Sequence, residues 1–195
     1  MKTTADQIVA TALDLLNEVG LDALTTRLLA QRLGVQQPAL YWHFKNRRAL
    51  LDAMNEAMMA PFNIPIIAGN TGDWQAYMLE VGNTFRAALL SHRDGARVHA
   101  GTRVKRTQFE AMIGTLTACG LPLEVALNLC IAVGRFTIGG VFEEQAETTI
   151  PVEPELEGLA GEAIRLYHES GETRAFEAGL RFLIAGAAAQ LKPAP

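Results

Sequence analysis

Two cysteines in 195 residues, Cys119 and Cys130, are too few for a disulfide scaffold, and their spacing is not that of a metal-ligand pair. In apolar helical surroundings each thiol reads as a small hydrophobic side chain. No segment sustains the two-residue apolar alternation of a strand, which points to an all-α chain. The opening MKTTADQIVATALDLL has one lysine, an Asp at position 6 and no long apolar run. It fits neither a secretory signal nor a membrane span, so the expectation is a cytoplasmic protein without a membrane partner. No Gly-rich phosphate loop, nucleophile elbow or metalloprotease motif occurs, which argues against an enzyme.

Charge is present but unevenly placed. The formal net charge is -4, yet the stretch 23 to 50, ALTTRLLAQRLGVQQPALYWHFKNRRAL, holds Arg27, Arg32, Lys45, Arg47 and Arg48 and no acidic residue. Residues 1 to 50 carry six Lys/Arg against four Asp/Glu, and the rest carries eleven against seventeen. A basic head on an acidic body suits contact with a polyanion through one end only. An architectural DNA binder would be basic throughout, so the acidic body argues against that class. Hydrophobic content of 49% is ample for a core in the body.

Helical punctuation divides the chain. Thr4 and Gln7 have the spacing of a capping box, followed by Ile8, Val9, Ala12, Leu13, Leu15, Leu16 and Val19 at helical spacing, with Gly20 as the stop. Thr25 or Thr26 can cap a second helix ended by Gly34. Gln37-Pro38 starts a third, because proline at the first helical position sacrifices no hydrogen bond. Asn46 caps a fourth through Leu50, Leu51, Met54 and Met58, stopped by Pro61. Helical spacing returns over 74–90, 107–119, 123–145, 159–168 and 173–191, while EQAETTIPVEPELEG reads as a loop. The expected organisation is a three-helix helix-turn-helix domain over 1–46 and a helical effector-binding and dimerisation body over 47–195.

The head has the composition of a major-groove reader. Gln37 suits a bidentate contact to adenine and Ala39 a thymine methyl, while Pro38 fixes the start of the reading helix. Tyr41, Trp42 and His43 suit backbone and sugar contacts, and three adjacent helical positions cannot all face inward. Thr26, Arg27, Lys45 and Arg47 are phosphate candidates, with Arg48 beside them. Half-sites about 34 to 36 Å apart require two readers at fixed separation, which calls for a homodimer. The last two helices, rich in Gly and Ala near Ala185 to Ala189, are the expected dimer bundle.

These motifs carry a resemblance. Through TTRxLAQxLG and QPALYWHxKN, residues 12 to 53 resemble the DNA-binding head of the tetracycline repressor family. The body is similar to tetracycline repressors at SHRDGARVHAGTR (91 to 103) and FTIGGVFEEQ (136 to 145). The resemblance implies an all-helical homodimer on a palindromic operator, repressing a resistance or efflux gene until a tetracycline-magnesium complex releases it. By the same resemblance His99 binds the metal directly, and Thr102 and Glu143 hold its waters, the glutamate coming from the second subunit. Arg103 belongs to the same HAGTR motif, and Phe85 matches a position lining the site. One imidazole with a hydroxyl and a carboxylate acting through water suits a magnesium ion whose ligand brings its own oxygens.

The chain departs from the family at the end that meets the polar ring of tetracycline. Family positions holding histidine and asparagine carry Asn63 and Val81, the proline after GTR is Val104, and the family glutamine falls near Thr115. Each polar partner lost opposite a polar ligand costs about 1 to 3 kcal/mol. Two effector classes therefore stay open, a tetracycline-magnesium complex and another small molecule on the same scaffold.

Overall fold

The computed structural model describes residues 3–62, 72–102, 106–146 and 157–191. Among them are α-helices and no strand: α1 Ala5–Ala23, α2 Thr26–Leu33, α3 Pro38–Tyr41, α4 Arg47–Met59, α5 Trp74–Leu90, α6 Gly95–Ala100, α7 Arg106–Ala118, α8 Leu123–Gln145, α9 Gly158–Ser170 and α10 Glu172–Ala189. The all-α architecture read from the sequence is the one observed.

The chain divides into two compact units, Met1–Asn63 with Thr84–Lys105, and Ile64–Asn83 with Arg106–Pro195. In the first, the expected caps set the helix starts. The Thr4 hydroxyl accepts from the Gln7 N–H at 3.3 Å and the Gln7 side chain accepts from the Thr4 N–H at 3.0 Å, the reciprocal capping box. Thr25 and Asn46 likewise accept from Leu28 and Ala49 at 3.1 and 2.9 Å. Gly20 breaks α1 with φ 76, although helical residues resume as far as Ala23. One face of α1, with Ile8, Ala12, Leu15 and Leu16 buried, packs on α2 and α4, and α4 in turn packs on α6. Burial of Ile8, Leu15 and Leu16 is worth about 1.5 to 3 kcal/mol of transfer free energy each.

Helix α6 does not emerge from the periodicity of the sequence. Gly95–Ala100 spans less than two turns, too short to display a repeating apolar face, and it follows Asp94 in the left-handed region at φ 56. Close packing fixes its first residue, because a Cβ on Gly95 would lie 2.0 Å from the Leu89 carbonyl oxygen.

In the second unit α8 packs on α7 and α10, and α10 on α9. Their common core gathers Trp74, Tyr77, Met78, Leu116, Leu129 and Leu180. Among the described residues α8 is the one helix long and apolar enough to cross a membrane. Its Ala126, Leu129, Cys130 and Val133 are buried in this core, and Thr137 and Val141 are buried further along the helix. Cys119 lies just past the end of α7, and both cysteines are free thiols. Burial pushes the Cys130 thiol up to about 11, so it stays protonated and unreactive.

Candidate DNA-reading head and effector site

The reading helix α3 is short, and its surroundings decide what it presents. Leu40 is buried, while Tyr41 and Trp42 are 48% and 89% exposed, and His43, Lys45, Arg47 and Arg48 are exposed too. All three adjacent residues Tyr41, Trp42 and His43 are thus open to solvent. Gln37 is exposed, and its amide nitrogen donates to the Thr26 hydroxyl at 2.8 Å. That bond ties the first residue before the reader to the first residue of α2. The amide oxygen and the second N–H remain for a bidentate partner. Pro38 opens α3, and Ala39 is half-buried behind it.

The cations divide by role. Arg32 forms a bidentate pair with Glu18 of α1 at 2.6 and 2.8 Å, which holds the Glu18 carboxyl below its usual range. The stretch contains no acid, but the fold brings one from the preceding helix. Arg47 donates to the carbonyls of Leu24 and Leu21, at 3.0 Å for the latter, and so fastens the start of α4 to the end of α1. Arg27, Lys45 and Arg48 extend the exposed basic surface around α3.

In the same unit α4, α5 and α6 assemble a second constellation. His99, on α6, places Nδ1 3.0 Å from the Asn55 amide oxygen of α4, and Phe85 of α5 meets the imidazole edge-on at 4.9 Å and 68°. Burial pushes the His99 pKa down, favouring the neutral imidazole that a metal requires. The Thr102 hydroxyl donates to the His99 carbonyl at 2.7 Å, which leaves its oxygen lone pairs as acceptors. The donor set fits magnesium accompanied by an oxygen-rich ligand: one neutral imidazole with Nδ1 engaged, Nε2 remaining and a hydroxyl nearby. Among the described residues no three His, Cys, Asp or Glu side chains come together as a protein-only metal site. Asn55 carries no signal in the sequence, because an asparagine within a helix belongs to no motif.

The helix that carries His99 is bonded back to α1. Asp94 accepts the Leu21 N–H at 2.8 Å, and Arg97 bridges Asp94 at 3.1 Å and Asp22 at 2.7 Å. The Arg93 N–H donates to the Asn17 side chain at 3.0 Å. In the second unit Val81 is buried among apolar side chains, Thr115 is buried with its hydroxyl donating to the Ala111 carbonyl at 3.1 Å, and Glu143 is exposed on the last turn of α8. Asn63, Arg103 and Val104 lie outside the described residues.

Comparison with known proteins fits both halves of this picture. Residues 8–54 match the model of bacterial regulatory proteins of the tetR family, and residues 65–191 match the tetracyclin repressor-like C-terminal domain. The class A tetracycline repressor from transposon 1721 of Escherichia coli is 44% identical over 96% of this chain and 91% of its own. A variant of TetR from Acinetobacter baumannii AYE, solved in complex with minocycline, shares 45% identity with TM-score 0.83 over 95% of this chain and 93% of that one. TetR(class A) in complex with 5a,6-anhydrotetracycline and magnesium shares 40% identity with TM-score 0.73 over 94% and 97% of the two chains. With the side chains of a reading helix exposed and family models matching residues 8–54 and 65–191, the chain belongs to the tetR family of bacterial regulatory proteins, as a helix-turn-helix transcription regulator with a tetracycline repressor-like C-terminal domain.

Proposed function

We propose that the chain is a tetracycline-responsive repressor that works in the cytoplasm as a homodimer on a palindromic operator and controls a resistance or efflux gene. The observation that carries this reading is the placement of His99 on α6, the short helix that Asp94 and Arg97 bond to α1 of the head. The relatives solved with minocycline and with anhydrotetracycline and magnesium support the choice of effector.

In this reading Gln37, Pro38 and Ala39 meet base edges, and Thr26, Arg27, Tyr41, Trp42, His43 and Lys45 hold the DNA backbone, while Arg47 keeps the start of α4 in place beside them. His99 offers Nε2 to the magnesium carried by the effector, Thr102 and the second copy's Glu143 hold the metal's waters, and Phe85 lines the site with Arg103. The magnesium would supply a hard cation whose preference for oxygen an oxygen-rich effector satisfies. Occupancy at His99 displaces α6, and α6 passes the change to α1 through Asp94 and Arg97 and to α4 by direct packing. The spacing of the two readers then no longer fits successive major grooves.

The homodimer draws support from apolar surface on the last helices. Leu159, Leu166 and Phe182 are 84%, 61% and 78% exposed, and Val125, Leu129, Leu183 and Gly186 line a groove between α8 and α10. Apolar groups so placed suit burial against a second copy.

A second reading, a repressor of this scaffold with another small-molecule effector, is favoured by Val81. It is buried among apolar side chains at a family position that offers a hydrogen-bonding group to the ring, and Asn63, Val104 and Thr115 differ from the family as well. Fluorescence titration with anhydrotetracycline, with and without magnesium, separates the two. Tight binding strengthened by magnesium supports the first reading. A folded protein that does not bind belongs to the second.

A further inference from the structure

We propose that Asn55 is a positioning residue for the effector site, its amide oxygen holding His99 in the tautomer that leaves Nε2 bare for a metal. This rests on the proposed function and adds a residue to its site. The contact is between Nδ1 of His99 and Oδ1 of Asn55, 3.0 Å apart. An amide oxygen accepts only, so Nδ1 must carry the proton. A neutral imidazole has one N–H, so Nε2 keeps its lone pair. The bond thus decides which nitrogen can act as a ligand.

Two further features make the arrangement selective. Magnesium prefers oxygen, so a single nitrogen donor is a weak ligand, and its contribution depends on being held ready in orientation and tautomer. The Phe85 ring, edge-on at 4.9 Å, closes another side of the imidazole, and turning the ring over would forfeit the Asn55 bond. Asparagine is also the suitable choice over aspartate. A neutral acceptor fixes the tautomer without adding negative charge, which would attract a cation that arrives without its effector. The sequence around Asn55, LLDAMNEAMM, offers no such hint, because its partner lies 44 residues away.

The test is long-range nitrogen–proton correlation NMR on the intact, metal-free protein labelled in histidine, paired with titration by anhydrotetracycline and magnesium. The wild type is expected to place the His99 proton on Nδ1. Asn55→Ala should move it toward Nε2, the form preferred by an unbonded neutral histidine side chain, and weaken magnesium-dependent binding about 10- to 100-fold. Asn55→Asp, which keeps an acceptor at the same reach, should restore the Nδ1 proton. Circular dichroism separates loss of fold from loss of tautomer. A His99 proton on Nε2 in the wild type, or a tautomer unchanged by Asn55→Ala in a folded protein, overturns the proposal. Failure of the wild type to bind anhydrotetracycline overturns the proposed function instead, and the tautomer measurement, made without effector, decides the role of Asn55 by itself.

Discussion

Asp94 accepts the backbone N–H of Leu21 at 2.8 Å across 73 residues of sequence. The donor sits just after the break at Gly20, so its N–H opens the resumed turn that ends at Ala23, and the carboxylate caps that N–H as at a helix start. Asp94 makes this contact from φ 56, and among the described residues it is the one non-glycine at positive φ. Aspartate and asparagine tolerate that region better than most residues.

This geometry predicts an ordering of variants. Asp94→Ala leaves the Leu21 N–H and one side of Arg97 unsatisfied while keeping the unfavourable φ, and should cost about 1 to 3 kcal/mol. Asp94→Asn retains an acceptor of the same shape and should cost less. Urea denaturation of both variants checks the ordering, and equal losses would mean that charge rather than the helix-end bond matters.

Leu40 and Trp42 are two residues apart and predict opposite outcomes. Leu40, the buried residue of the reading helix, should cost about 2 to 5 kcal/mol when cut to alanine. Trp42, 89% exposed, should stay within about 0.5 kcal/mol of the wild type in stability. Its loss should nevertheless weaken DNA binding. Thermal melts beside DNA titrations separate the two effects.

Gln37 and Lys45 should fail in different ways. Gln37→Ala removes a base-edge group and the bond to Thr26, and should relax preference at one operator position by about 1 to 3 kcal/mol. Lys45→Ala should weaken all sequences alike and flatten the salt dependence by about one unit of slope. Binding to operator and scrambled duplexes over a salt series distinguishes them.

Acid should loosen the first unit. Burial lowers the pKa of His99 below 6.5, and burial likewise lowers that of His92, against the opposing charge of Asp14. The unfolded chain therefore takes up these protons first. The stability due to keeping the rings neutral is complete above about 6.5 and is lost as the pH falls through the lowered folded values. The urea midpoint should drop between pH 7.5 and pH 5.5, and His99→Gln should reduce that drop. A midpoint that rises on acidification would contradict the sign.

Much of the fold was legible because caps and breaks are local. Thr4, Asn46 and Gly34 each act within four residues where the sequence placed them, and of the two candidate caps for α2 it is Thr25 that acts. Helix α6 escaped because its start is set by close packing of Gly95 on Leu89, which no periodicity records. The basic stretch was legible as charge but not as pairing: Glu18 reaches Arg32 from α1, and the Arg47 guanidinium turns to carbonyls at the end of that helix. His99 announced itself through a motif. Asn55, which sets its tautomer, did so only through a contact distant in sequence.

The most direct test follows the release of DNA. A duplex enriched from a random pool by the protein itself, labelled for fluorescence anisotropy, is titrated with the wild type and with His99→Ala, in the presence and absence of anhydrotetracycline and magnesium. The wild type should leave the duplex when both are added, and His99→Ala should remain bound at the same effector concentration. Equal DNA affinity of the wild type with and without saturating bound effector would contradict the coupling of His99 to the reading head.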